Sequence, residues 1–353
     1  MSTFSIAVIP GDGVGLEVMP EARKVLDLVS ARYDVEFEYT EFDWGTDYYF
    51  QHGYMMPEDG IDLLRPFDAI LLGAVGHPDV PDHVTLNGLL LPIRRSFDQY
   101  VCERPAKLYP GVPSPLANPG EIDMVIVREN TEGEYSQAGG FVYKNLADEV
   151  AVQTSIFTRH GVERIIRHAF GLARKRNRRK HVTSITKSNA QGYSMVLWDR
   201  VFAEVSSDYG DVETESLLVD AAAMNFIRRP HTFDVVVGSN LFGDILSDIS
   251  AMITGSMGLA PSSNVNPSRE APSMFEPVHG SAPDIAGHGI VNPIAMILSA
   301  AMMLDFLNVA DAARVVENAV SAVLSEGKVL PRDLGGEAST SEVTAAVLDK
   351  LRQ

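Results

Sequence analysis

Asp244 and Asp248 stand four residues apart in the stretch GDILSDIS, with FDVVVGSN before it and AMITGSMGLA after it. An i,i+4 spacing puts both carboxylates on one face of a helix, where like charges repel, and burial makes the repulsion worse. A shared cation that the sequence does not itself supply would relieve that cost. Asp220, closing ESLLVD just before AAAMNF, is a third carboxylate in apolar company. No His or Cys cluster lies nearby, and oxygen-only ligands suit Mg²⁺ or Mn²⁺ rather than Zn²⁺. On spacing alone, metal binding, helix capping and salt bridges all stay open.

Arginines form a second group. Arg94 and Arg104 flank a helical segment, and Arg128 ends the apolar run DMVIV. A guanidinium stays charged and pairs bidentately with carboxylates, so three of them suit a dicarboxylate substrate. Tyr135 in RENTEGEYS could serve as a general acid or pack half-buried. Lys187 in ITKSNA, at a strand end, becomes a usable base if burial lowers its pKa; otherwise it is a snorkelling lysine. Gly11, Gly13 and Gly15 in IPGDGVG give G-x-G-x-G, with Leu16 at the third position of the dinucleotide fingerprint. That spacing rejects a Rossmann site and predicts only a tight strand-to-helix turn.

These residues need a scaffold. Short apolar strands (FSIAVIP, FDAILLGAVG, DMVIVREN, HVTSITKSN, FDVVVGSN) alternate with amphipathic helical stretches, which predicts an α/β protein with a largely parallel sheet. The last helix, TSEVTAAVLDKLRQ, has Thr340 or Ser341 as its expected N-cap. A length of 353 residues suits two domains, and the Pro-rich segment 104–120 is the clearest composition shift. With 29 basic and 47 acidic residues, the net charge of −18 argues against nucleic acid as a partner. No apolar run reaches the ~18 residues of a membrane span, and MSTFSIAVIPGDG lacks the features of a signal peptide. The single cysteine, Cys102, excludes an internal disulfide and fits a cytoplasmic setting. The basic cluster RKRNRRKH (174–181) reads as a solvated helix end and turn.

Seven stretches in order, IPGDGVG, LLLPIRRSFDQYV, RENTEGEYS, TKSNA, SNLFGDILSD, GSMGLAPSSNVNP and FEPVHGSAPDIAGHGIVNP, together resemble one family over residues 9–293. It is the family of metal-dependent β-decarboxylating dehydrogenases of (R)-2-hydroxyacids, which act on isocitrate, 3-isopropylmalate, homoisocitrate, tartrate or D-malate. The resemblance implies an isopropylmalate dehydrogenase-like two-domain fold with a large mixed sheet, not a Rossmann fold. Residues 1–98 and 253–353 would form the large, cofactor-side domain, and residues 99–252 a smaller domain with a dimer-clasp hairpin near 139–159. It implies Mn²⁺ or Mg²⁺ on Asp244 and Asp248, with Asp220 reaching the site of a neighbouring subunit. Arg94, Arg104 and Arg128 would hold substrate carboxylates. Lys187 from the other subunit would take the C2 hydroxyl proton, and Tyr135 would protonate the carbon left after CO₂ departs. The cofactor would meet Asn189, His279, Gly280, Ser281, Ala282, Asp284, Ile285 and Asn292, and K⁺ is a further candidate. Active sites shared in this way imply a homodimer at least.

NADP-using relatives carry Lys and Tyr where Asp284 and Ile285 stand, and a carboxylate suits a ribose 2′-hydroxyl, so the expected cofactor is NAD. Gly88 and Leu90 occupy the positions where isocitrate enzymes use Ser and Asn, which argues against isocitrate. Leu90 and Leu91 could meet an isopropyl group, so 3-isopropylmalate is the alternative. The overall pattern looks most like the tartrate and D-malate branch, with Asn87, Cys102, Glu103 and Lys107 as departures. Glu103, beside Arg104, is expected to add a negative charge near the substrate. A non-catalytic regulatory paralogue is the reading of another class. Retention of Tyr135, Lys187 and all three aspartates speaks for a catalyst.

Overall fold

The computed structural model describes residues 2–353. Its strands are β1 (Ser2–Gly11), β2 (Val35–Glu41), β3 (Ala69–Ala74), β4 (Val101–Lys107), β5 (Asp123–Glu129) and β6 (Gly133–Val142). They continue with β7 (Val150–Ile156), β8 (His181–Thr186), β9 (Glu213–Leu218), β10 (Val235–Gly238), β11 (Pro261–Val265) and β12 (Ser273–Pro277). Ten of them form one sheet in the order β2-β1-β3-β12-β11-β4-β5-β10-β8-β9, and β6 pairs with β7 alone.

The sheet is mixed in a patterned way. The block β2-β1-β3-β12 is parallel, and so is β5-β10-β8-β9. Between them β11 and β4 run antiparallel to their neighbours. Strand direction therefore changes at the middle of the sheet, the kind of place where side chains from several strand ends converge.

Each block has its own core. Helices Gly15–Tyr33 and Ile294–Phe306 bury their apolar faces against one side of the first block, and helices Ala310–Glu326 and Thr340–Arg352 pack on those two. Trp44, Met55, Leu89, Ile93 and Phe97 cover its other side. Helix Ile294–Phe306 is buried almost all round, which explains its unbroken apolar sequence. No helix among the described residues is long and apolar enough to cross a membrane. Helices Arg159–Arg176 and Ser194–Ser206 pack on the second block, with Phe170 and Trp198 fully buried. The chain after β4 returns to the first core, where Tyr109 and Val112 are buried.

Local details differ from the sequence reading in three places. The last helix is capped by Ser339, one residue before the expected pair. Its hydroxyl accepts from the Glu342 N–H while the Glu342 carboxylate accepts from the Ser339 N–H at 2.8 Å. The hairpin runs from Gly133 to Ile156 and so begins before residue 139. Within the basic cluster, which does form a helix end and turn, Arg176 is half-buried between Asp123 (2.8 Å) and Asp234 (2.9 Å) rather than solvated.

Candidate active site

Six polar side chains meet where strand direction changes. Arg104 comes from β4, Arg128 from β5, Glu276 from β12 and Tyr135 from β6. Arg94 comes from helix Leu91–Ser96 and Asp244 from helix Asn240–Ile253. They line a cleft of about 250 Å³ together with Leu86, Leu90 and Leu91. Arg104 lies within a strand, so it does not border the helical segment as its position in the sequence suggested.

Asp244 is the hub. Its Oδ1 accepts from Arg104 Nη1 at 3.0 Å and from Arg128 Nη1, and its Oδ2 accepts from Tyr135 Oη at 2.8 Å. Burial pushes its carboxyl up, but Arg128, Arg104 and the Tyr135 hydroxyl outweigh that and hold it below the ordinary carboxylate value. The cationic partner that the sequence seemed to lack is thus partly present in the chain itself. Gly243 makes this approach possible, because a Cβ there would lie 2.6 Å from Arg128 Cβ. Asp248, one turn on, is exposed, and its carboxyl oxygen lies 3.9 Å from Arg104 Nη1. Partial desolvation on its inner side and the nearby Asp244 charge raise its pKa. Tyr135 is raised to about 12 by burial and by Asp244, so its hydroxyl keeps its proton at neutral pH.

The arginines are held from behind. Arg128 donates twice to Asn240 Oδ1, at 3.0 and 2.7 Å. Glu134 takes the Ser239 hydroxyl (2.8 Å) and the Leu241 N–H (3.1 Å), fixing the start of the helix that carries Asp244. Arg94 donates to Glu276 Oε1 at 2.6 Å, and Asn264 donates to the same oxygen at 2.7 Å. Asn130 continues the chain to Asn264 Oδ1 at 2.9 Å. Burial and the nearby Arg104 lower the Arg128 pKa despite Asp244. Burial also works against the Arg104 charge, but Cys102, Asp244, Glu276 and Asp248 outweigh it and raise that pKa. Sequence reasoning missed Glu276, Asn240 and Glu134. A lone acid in the buried run SMFEPV was the available signal for Glu276.

His279 and Gly280 close one end of the cleft, and Gly280 and Ser281 continue into a neighbouring cavity of about 440 Å³ bordered by Gly76 and His77. Burial lowers the His279 pKa, which favours a neutral imidazole at physiological pH. The glycine turn after β1 abuts this loop and shapes it. Val14 N donates to Ser281 O at 2.9 Å, and a Cβ on Gly13 would lie 2.2 Å from that oxygen. Asp12 ties the turn down by accepting from Thr46 N (2.7 Å), Thr46 Oγ1 (2.6 Å) and Gly76 N (2.8 Å). Ala282 takes a left-handed φ of 39°. Asp284 is exposed, while Ile285 packs against the first core. Glu17 accepts from the Gly289 N–H at 2.8 Å and holds the far end of the loop. Asn292 is buried with both ends engaged, to Asp333 Oδ2 and to the Ile294 N–H at 3.0 Å each.

Lys187, Asp220 and Asn189 lie outside the cleft, and Asp248 does not line it either. Lys187 and Asp220 pair with each other at 2.6 Å, and Asp220 is exposed rather than set in apolar company. Asn189, also exposed, sits in the same turn as Lys187. Among the described residues no three His, Cys, Asp or Glu side chains gather as a complete metal site. Asp244 and Asp248 offer oxygen donors on one helix face with an open side. That fits half of a hard-cation site whose remaining ligands come from substrate, water or another chain.

Two readings of the substrate region are corrected. Glu103 points to the opposite face of β4 from Arg104 because side chains alternate along a strand, and its carboxylate meets His168 Nε2 at 2.7 Å. Gly88 faces Met55, whose Cγ would lie 2.6 Å from an added Cβ, so that position does not look into the cleft. Leu90 does line it, beside Leu86.

A profile of the family "Isocitrate/isopropylmalate dehydrogenase" matches residues 5–347. The chain belongs to this family. It is 52% identical to the tartrate dehydrogenase/decarboxylase of Pseudomonas putida, covering 99% of this chain and 98% of that protein. It is 49% identical to the D-malate dehydrogenase (decarboxylating) of Escherichia coli (strain K12), covering 98% of each. The crystal structure of isocitrate dehydrogenase from Methylococcus capsulatus superposes with a TM-score of 0.89 at 34% identity, over 99% of this chain and all of that one. The fold is accordingly that of the family, and the antiparallel seam between two parallel blocks carries its cleft.

Proposed function

We propose that the chain oxidises a small (R)-2-hydroxy dicarboxylic acid, D-malate or tartrate, with NAD and a divalent cation, and then removes its β-carboxyl group as CO₂. The observation that carries this is the convergence of three arginines, Tyr135 and Asp244 on one cleft. Relatives at about half identity whose names state such a reaction support the substrate class.

Arg94, Arg104 and Arg128 bind the two carboxylates. In doing so Arg104 and Arg128 exchange Asp244 for substrate, which leaves Asp244 and Asp248 free to hold Mn²⁺ or Mg²⁺. The cation, when bound, would polarise the C2 oxygen and stabilise negative charge there. Lys187 of a second copy accepts the C2 hydroxyl proton as hydride passes from C2 to the nicotinamide. The electrons of the broken C–C bond pass into the enol, and Tyr135 delivers a proton to C3. D-malate would thus give pyruvate. In this reading Asp284, exposed on the loop beyond His279, accepts from a ribose hydroxyl, and its charge would disfavour NADP.

The active unit in this reading is a homodimer. Lys187 and Asp220 lie outside their own chain's cleft. The hairpin exposes Phe141, Val142, Leu146 and Val152, and helices Val219–Arg228 and Asn240–Ile253 expose Met224, Ile227, Ile245 and Met252. Such a surface is more apolar than a solitary chain needs. Residues 1–98 with 253–353 would then move as the cofactor side, against 99–252.

The apolar wall of Leu86, Leu90 and Leu91 favours one second reading, 3-isopropylmalate as substrate. Purified protein with Mn²⁺ and NAD, offered D-malate, the tartrates, 3-isopropylmalate and isocitrate, separates them. Turnover of 3-isopropylmalate alone would replace the first reading by the second.

A further inference from the structure

Arg95 stands beside the substrate-facing Arg94 but takes no part in the cleft lining. Its side chain is half-buried, and no carboxylate pairs with it among the described residues. Its Nη2 donates to the backbone carbonyl oxygen of Tyr135 at 2.6 Å. Burial lowers its pKa, so the charge is held there at a cost. A cation without a counter-ion, spent on one main-chain carbonyl, is an expensive way to join two segments unless the position of the joined residue matters. Tyr135 lies near the start of β6, on a segment whose register with β7 is irregular between Gly133 and Ala138. Within that irregular stretch, Arg95 supplies a charged side-chain donor to the Tyr135 carbonyl from a separate element.

We propose that Arg95 is the positioning residue for the Tyr135 phenol, coupling the helix that binds substrate carboxylate to the group that delivers the proton. This rests on the reading of Tyr135 as the proton donor. Through adjacent residues, one short helix would hold the carboxylate (Arg94) and set the proton donor (Arg95). The Tyr135 hydroxyl must sit both on Asp244 and within reach of C3. A loose backbone at Tyr135 would spoil the second contact before the first.

The test compares wild type, Arg95→Met, Arg95→Lys and Tyr135→Phe. Oxaloacetate supplied with Mn²⁺ reads the decarboxylation and protonation half alone. Formation of reduced nicotinamide in a single turnover of D-malate reads oxidation alone. Arg95→Met should slow the first by about tenfold to a hundredfold, the loss expected for one charge-assisted hydrogen bond. It should leave the single-turnover oxidation rate within about threefold, and Arg95→Lys should recover most of the loss. Equal loss in both halves, or none in either, overturns the proposal. A second arm needs no activity. With 3-fluorotyrosine at position 135, the ¹⁹F resonance should shift or broaden in Arg95→Met and return in Arg95→Lys. An unchanged resonance overturns the positioning role even if the function proposed above is correct. A moved resonance in a protein inactive on every hydroxy acid supports positioning while refuting that function.

Discussion

Tyr135 gives its phenolic hydrogen to Asp244, Oη to Oδ2 at 2.8 Å, while the other oxygen of the same carboxylate faces two arginines. The proposed proton donor and a candidate metal ligand are therefore one hydrogen bond apart. Tyr135→Phe should keep substrate binding and lower the rate of CO₂ release and protonation by about a hundredfold or more. Steady-state kinetics with the hydroxy acid, beside decarboxylation of the corresponding 2-oxo acid, check this. A variant that decarboxylates at the wild-type rate removes Tyr135 from the mechanism.

Asp244→Asn and Asp248→Asn should both abolish Mn²⁺-dependent turnover, but they should differ in stability. Asp244 neutralises two buried guanidiniums, so its loss should cost about 1–3 kcal/mol after allowance for its partial exposure. Asp248 is exposed and sits at the edge of this network, so its loss should change stability by less than about 0.5 kcal/mol. Thermal melts without metal separate the two. Equal destabilisation would mean that the arginines do not depend on Asp244.

Lys187 and Asp220 supply the test of shared sites. Lys187→Ala and Tyr135→Phe should each be inactive as homodimers. If each site draws Lys187 from one copy and Tyr135 from the other, a mixed dimer holds one intact site. Random re-association of equal amounts should then restore roughly a quarter of wild-type activity. No recovery, in a mixture shown to exchange subunits, would place both residues in one chain's site.

Glu129 makes stability pH-dependent. Burial lifts its carboxyl to about 7, although the Glu132 and Thr131 N–H groups pull it down. A carboxyl raised in the folded state keeps a proton that the unfolded chain has already released. Stability should therefore fall as pH rises from the ordinary carboxylate range to about 7, and level off above that. The effect is on the order of 3 kcal/mol at most. Thermal melts between pH 5 and 8 should show a slope in the wild type that flattens in Glu129→Gln. An identical slope in the variant would assign the pH dependence to other groups.

The sequence disclosed the elements and five of the six polar side chains that meet in the candidate cleft, for reasons that differ between residues. Buried strands such as FDAILLGAVG and DMVIVREN announce themselves as continuous apolar runs, and the i,i+4 spacing put Asp244 and Asp248 on one helix face in advance. The direction a strand side chain faces was harder to read. Glu103 was expected beside the substrate arginine because the two are adjacent in the chain, yet adjacency in a strand means opposite faces. Gly88 was misjudged for a related reason, since a wide π-type turn over Leu86–Leu90 shifts which side chains look inward. Glu276 and Asn264 escaped because their role arises only when distant strands pair. The charge balance around Asp244 was hidden in the same way, with Arg104 and Arg128 arriving from strands more than a hundred residues earlier.

Strand β4 separates chemistry on its front from a wide groove on its back, where Glu103 meets His168. The only thiol in the chain, Cys102, is fully buried. A cysteine engineered at His168 could therefore be labelled selectively with a fluorophore. That reporter would watch the two sheet blocks shift from behind, one strand's thickness from the reacting atoms and clear of substrate, and would turn an architectural partition into an optical readout of ligand binding.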